Sequence, residues 1–162
     1  MPLALRLPDL AATQRLGAAL AASSRPGDAI ALFGDLGAGK TELARALIRA
    51  ACADPDLAVP SPTYTLVETY DAPAGPIWHM DLYRLNAPEE VHELGFEEAL
   101  AACTLIEWPQ RLGPLLPATR LDVELSLAPD GGDARLATLT PHGERWRGAL
   151  DSLKTGLHDL LA

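Results

Sequence analysis

Aromatic residues supply only 5% of this 162-residue chain, so its core has to be built from Ala, Leu, Val and Ile. Cysteine is nearly missing. Cys52 and Cys103 stand far apart, outside any C-x-x-C or Cys/His cluster. That spacing excludes an ordinary structural zinc site and points to free thiols in a reducing compartment. Positive charge is short as well: 13 Lys and Arg face 22 Asp and Glu, a formal net charge of -9. Such a chain repels phosphate backbones, so electrostatic binding of DNA or direct gripping of RNA is not expected. No segment approaches the roughly 18 apolar residues of a membrane-spanning helix. The N-terminus MPLALRLPDL has no long apolar run after a basic start; the expected location is the cytoplasm, with no membrane attachment.

What is present reads as an ordinary globular protein, 48% hydrophobic and 22% charged, and the length predicts one domain over residues 1–162. The alternation in Leu3–Leu7 predicts a strand. Asp9 is placed to cap a helix over Leu10–Ser23, and Ala29–Phe33 (AIALF) is a continuous apolar run of the kind buried on both faces of a sheet. A glycine-rich stretch follows, then a helix from Lys40 to about Ala53. After a proline-rich loop, strands are predicted over Thr63–Tyr70, Ile77–Tyr83 and Cys103–Glu107. Short helices are predicted near Glu89 and over Phe96–Ala101. Leu121–Leu127 and Ala134–Thr140 form a hairpin around the turn Pro129–Asp133, and the tail Glu144–Leu161 reads as one amphipathic helix. The order predicts an α/β fold: a P-loop NTPase-like, mostly parallel sheet flanked by helices, with added antiparallel strands near the C-terminus.

The chemistry begins at FGDLGAGKTELAR. Gly34, Gly39, Lys40 and Thr41 fit G-x-x-x-x-G-K-[ST], between an apolar strand and a helix, which is the context that gives the pattern meaning. Gly34, Gly37 and Gly39 allow the backbone to turn successive N–H groups inward, so that Gly34, Asp35, Leu36, Gly37, Ala38 and Gly39 form a phosphate cradle at a helix N-terminus. Lys40 then reaches the β/γ-phosphates and the Thr41 hydroxyl ligates Mg2+. Two strands end in acids, Asp81 and Glu107. Ligands gather at the carboxyl ends of strands in open α/β sheets, so both acids are candidates to hold the metal or to orient or deprotonate water; which does which stays open. His79 interrupts the first of these strands and is expected to have a structural or supporting part. Pro60 and Pro62 stiffen a loop that presents Ser61 and Thr63, whose hydroxyls suit a switch segment beside the γ-phosphate.

Taken together, GDLGAGKTELAR, SPTYTLVETY, HMDLYRL with APEEVHELGFEE, and IEWPQRLGPLLP resemble the TsaE (YjeE) family of bacterial P-loop ATPases, in the family's order and spacing. The resemblance implies ATP bound by Gly34–Thr41, with Thr41, Asp81 and Glu107 around Mg2+ and Asp81 as the Walker B-like acid. It implies Trp108 next to the nucleotide, Ser61 and Thr63 in the switch, Asp9 and Thr13 near the adenine, and Arg135 close by. It further implies a part in forming threonylcarbamoyladenosine at position 37 of tRNAs that read codons beginning with A. There TsaD-like and TsaB-like partners handle the tRNA and ATP hydrolysis supports turnover. Glu42 departs from the family pattern, which commonly has a second Thr or Ser there; it lies beyond the metal-binding hydroxyl. Two other readings share the glycine loop: a small-molecule kinase, which would need an acceptor pocket and an Arg-rich lid, and a nucleotide-gated interaction module.

Overall fold

A run such as AIALF, with no polar position, belongs in the middle of a sheet covered on both sides. In the computed structural model, which describes residues 1–162, the chain runs β1 (Leu3–Leu7), α1 (Leu10–Ser23), β2 (Ala29–Phe33), α2 (Lys40–Ala51), β3 (Val67–Ala72), β4 (Gly75–Asp81), α3 (Phe96–Ala101), β5 (Cys103–Glu107), β6 (Arg120–Leu127), β7 (Arg135–His142) and α4 (Glu144–Gly156). Three short 3-10 segments, Pro88–Leu94, Pro109–Leu115 and His158–Leu160, fill connections and the tail. All seven strands form one sheet in the order β1-β7-β6-β2-β5-β4-β3, and AIALF is its central strand.

The inner four strands are parallel: β2 pairs with β5 and β6, and β4 with β5. Both margins are antiparallel. The C-terminal hairpin β6–β7 is extended by β1 on one side, and β3 folds back on β4 on the other. The expected α/β architecture is therefore present, and the second antiparallel margin is an addition to it. Alternation along the strands sorts side chains between two cores. Ile77, Cys103 and Leu105 join the larger one, under α1, α2 and α4. Met80, Leu82 and Ile106 join the smaller one, which includes Phe96 and Ala99 of α3. Arg145 of α4 pairs with Asp28 at 2.8 Å, fastening α4 beside the start of β2. No helix is long and apolar enough to cross a membrane.

Several elements differ in extent or type from the sequence expectation. TYTLVETY begins as a turn: Leu66 N–H bonds back to the Pro62 carbonyl at 2.8 Å and Leu66 takes φ 68°, so pairing starts at Val67. β4 stops at Asp81, whose carboxylate accepts from Tyr83 N–H at 3.0 Å and turns the chain. The helix after Asn86 is 3-10. The C-terminal helix ends at Gly156, after which Leu161 bridges to Leu5 and Ala162 N–H bonds to Ala4 O at 3.0 Å, covering the free edge of β1.

Helices α1 and α2 meet at Gly17. A Cβ there would lie 2.6 Å from Ala46 Cβ and 2.9 Å from Leu47 N, so the small residue sets the interhelical distance. Gly17→Ala should therefore destabilise the protein by about 1–3 kcal/mol through overpacking, in spite of its better helix propensity. Gly148→Ala, in α4 with nothing within 4 Å of the new Cβ, should instead stabilise by roughly 0.5–1 kcal/mol. Urea midpoints of the two variants check the contrast; equal shifts would overturn the close-packing argument.

Candidate functional site

The loop between β2 and α2 has three glycines at positive φ, where a side chain is disfavoured: Gly34 at 148°, Gly37 at 82° and Gly39 at 107°. Gly34 also has no room for a side chain, because a Cβ would sit 2.6 Å from Leu125 O. Gly39 leads directly into α2, so unpaired amides of the first turn are directed at the loop's concavity. Lys40 is buried. Its ammonium donates to Gly34 O, approaches Asp35 O at 3.5 Å and lies 3.8 Å from the centroid of the Trp108 ring. Burial lowers its pKa, and Glu107, Asp81 and Asp35 oppose that shift. Arg135 reaches across from β7 to bond Ala38 O through Nε at 3.2 Å.

The parallel register places the two acids side by side. Asp81 is the partner of Glu107, which is in turn the partner of Leu32, one residue before the end of β2. Thr41, the second residue of α2, donates to Glu107 Oε1 at 3.0 Å, and the other oxygen, Oε2, is 2.6 Å from His79 Nε2. Glu107 and His79 are buried, at 2% and 0% exposure. Asp81 is differently placed. Desolvation pushes its carboxyl above the ordinary range and the Glu107 charge adds to this, while the Tyr83 N–H, His79 and Lys40 hold it down. Trp108 follows Glu107 in a left-handed conformation, φ 57°, and packs against Tyr83 with ring centroids 4.8 Å apart.

Most of the residues singled out from sequence converge. Leu36, Gly37, Gly39, Lys40, Thr41 and Glu42 line a cleft of about 300 Å3 together with Ser61, Thr63, Asp81, Glu107, Trp108 and Arg135. A neighbouring cleft of about 400 Å3 shares Gly39, Glu42 and Arg135 and adds Thr13 and Ala38. Gly34 and Asp35 line neither cleft, and their carbonyls face Lys40 instead. Asp9 also stands outside both: its side chain accepts from Ala12 N–H at 2.9 Å as the cap of α1. Arg84, the nearest cation after Asp81 in sequence, lies 4.6 Å from the centroid of the exposed Tyr64 ring. Sequence reasoning did not single out Leu10, Leu125 and Asp133 of the second cleft. Tyr83, which supports Trp108, was missed too. Leu10, Leu125 and Asp133 belong to no motif, and Tyr83 lies within HMDLYRL without its place beside Trp108 being legible there.

The class defined by fold and site is a mixed α/β protein with a glycine-rich loop at the carboxyl ends of a central parallel sheet, flanked there by two acids. Within that class, residues 7–135 match the family described as Threonylcarbamoyl adenosine biosynthesis protein TsaE. The chain is 43% identical over 129 residues to the tRNA threonylcarbamoyladenosine biosynthesis protein TsaE of Rickettsia bellii, covering 79% of this chain and 88% of that one. It is 34% identical over 136 residues to the Bacillus subtilis protein of the same name, covering 83% and 82%. The crystal structure of Bacillus subtilis YdiB superimposes with a TM-score of 0.78 at 29% identity, covering 98% of this chain and 97% of that one. The chain belongs to the TsaE family.

The raised carboxyl of Asp81 has a consequence for stability. Folding disfavours its ionised form, so the cost is absent below the ordinary carboxylate range, grows as pH rises past that range and is complete above the folded value. Asp81→Asn keeps an oxygen for the Tyr83 N–H, and Glu107, the larger acidic influence on Lys40, remains. The variant should melt above the wild type near pH 7, with the gap closing at about pH 4. Thermal melts across that range test it; a wild type that melts higher at neutral pH would show the sign to be wrong.

Proposed function

We propose that this protein binds MgATP at the 34–41 loop and hydrolyses it, in support of threonylcarbamoyladenosine formation at position 37 of tRNAs reading codons that begin with A. The observation that carries the reading is the pairing of Thr41 Oγ1 with Glu107 Oε1, 3.0 Å apart beside the glycine loop. A helix-start hydroxyl and a strand-end carboxylate are hard oxygen donors of the kind Mg2+ takes. No group of three or more His, Cys, Asp and Glu side chains is placed to cage a metal. Two protein oxygens completed by phosphate and water match the way Mg2+ is held in nucleotide sites. Bound Mg2+ would neutralise charge developing on the transferred phosphoryl group.

The chain's own residues do the rest. Lys40 has to leave Gly34 O and the Trp108 face to meet a phosphate, which it does as a desolvated point charge. The loop amides and the α2 terminus take the phosphate oxygens. Asp81, with one oxygen committed to Tyr83 N–H and its pKa raised towards that of a working base, is the better group to orient the attacking water. Glu107, held at both oxygens, is the better metal ligand. The second cleft, with Thr13 and Arg135, is the place for the adenosine end.

TsaD-like and TsaB-like proteins are the partners that family membership suggests. With a net charge of -9, this chain meets tRNA only through them. No arginine other than Arg135 lines the phosphate cleft. Hydrolysis by the isolated protein should therefore be slow, and partner docking should accelerate it.

Lys40→Ala should weaken ATP binding by about 10–100-fold, the scale of a lost hydrogen bond to a charged group. It should also abolish tRNA modification when it is the only copy in cells, without loss of fold by circular dichroism. Labelled γ-phosphate should appear as inorganic phosphate with no acceptor product. Normal modification in the Lys40→Ala strain, or transfer of label to a small molecule, would sink the reading.

A further inference from the structure

His79 is a buried polar residue whose only part in the proposed hydrolysis is its contact with Glu107. It follows Ile77 on the face of β4 that packs into the larger apolar core, and it is fully buried. An imidazole there loses its hydration and needs a partner of matching strength. It finds one. Nε2 lies 2.6 Å from Glu107 Oε2, while no protein group meets Nδ1. The carboxylate is the acceptor in reach of the ring, so Nε2 donates to it.

We propose that His79 is a positioning residue for the cation site. By holding Glu107 Oε2, it fixes the plane of the carboxylate and leaves Oε1 for Thr41 and for a divalent cation. The proposal rests on the reading of the site as one for MgATP. The contact distances show why such a restraint matters. The Thr41 hydroxyl lies 3.0 Å from Oε1 and 3.3 Å from Oε2, so Thr41 alone scarcely distinguishes the two oxygens. The imidazole breaks that near-symmetry. It also does so from the sheet side, where β4 and β5 are locked in register with His79 opposite Leu105. The carboxylate is thus tied to the sheet through His79 and to the start of α2 through Thr41. A cation shared between Thr41 and Glu107 would inherit that geometry.

The test compares His79→Gln with His79→Asn, and with His79→Leu as a third variant. A glutamine amide reaches the position of imidazole Nε2 and restores an N–H donor; an asparagine amide falls one methylene short. ATP affinity is measured by calorimetry with Mg2+ and with EDTA, alongside the melting temperature. In wild type and His79→Gln, Mg2+ should tighten binding to a similar degree. In His79→Asn and His79→Leu that Mg2+-dependent gain should fall by about tenfold or more, the scale of one hydrogen bond to a charged group, with far smaller changes in EDTA. A purely structural role would instead lower the melting temperature and weaken binding equally with and without Mg2+, in Gln as much as in Asn; that pattern overturns the proposal. So does a full Mg2+-dependent gain in His79→Asn. Absence of ATP binding by the wild-type protein would remove the underlying reading of the site, an outcome distinct from either.

Discussion

The parallel register of β2, β5 and β4 is the constraint on which the site depends. Leu32, Glu107 and Asp81 are level across three adjacent strands, so the chain turns into the glycine loop beside two acids that arrive from distant parts of the sequence. Nothing in the loop itself calls them in. AIALF and CTLIE are each nearly or wholly buried along their length, and a one-residue slip of CTLIE would carry the Glu107 carboxylate to the opposite face of the sheet, away from Thr41.

The electrostatics follow from that placement. Lys40, Asp81 and Glu107 are gathered in a buried corner, where each charge is worth having only because the others are there. Burial lowers the Lys40 pKa and raises that of Asp81, and the acids' pull on Lys40 and its pull on Asp81 work in the opposite sense. In this state the ammonium is satisfied by carbonyls of its own loop and by the Trp108 ring, contacts that a phosphate can replace with stronger ones.

Much of this was legible in the sequence, for reasons that particular residues make plain. The glycine loop has a fixed spacing and a strand before it, and AIALF and CTLIE are too apolar to be anything but interior strands. Asp81 and Glu107 were marked by their places at strand ends. What could not be read was decided by particular hydrogen bonds. Thr63–Leu66 has the composition of a strand, yet the Leu66 to Pro62 bond makes it a turn. The pairing of His79 with Glu107 spans 28 residues, and only the register of β4 on β5 reveals it.

The segment between α2 and β3 shows how the same elements reach the far side of the cleft. Arg49 and Arg45 of α2 donate to Leu57 O at 2.9 Å and to Val59 O at 3.1 Å. At its other end, Asp81 N–H donates to Leu66 O at 2.9 Å. The stretch carrying Ser61 and Thr63 is therefore strung between the helix that begins with Lys40 and Thr41 and the strand that ends in Asp81. Ser61 and Thr63 hydroxyls are 2.7 Å apart and share the cleft with those residues. A displacement of α2 relative to the end of β4 would pull on this segment, because Arg45 and Arg49 tie it to one and the Asp81 N–H ties it to the other. Pro60 and Pro62 limit how much of that movement the loop can absorb by bending.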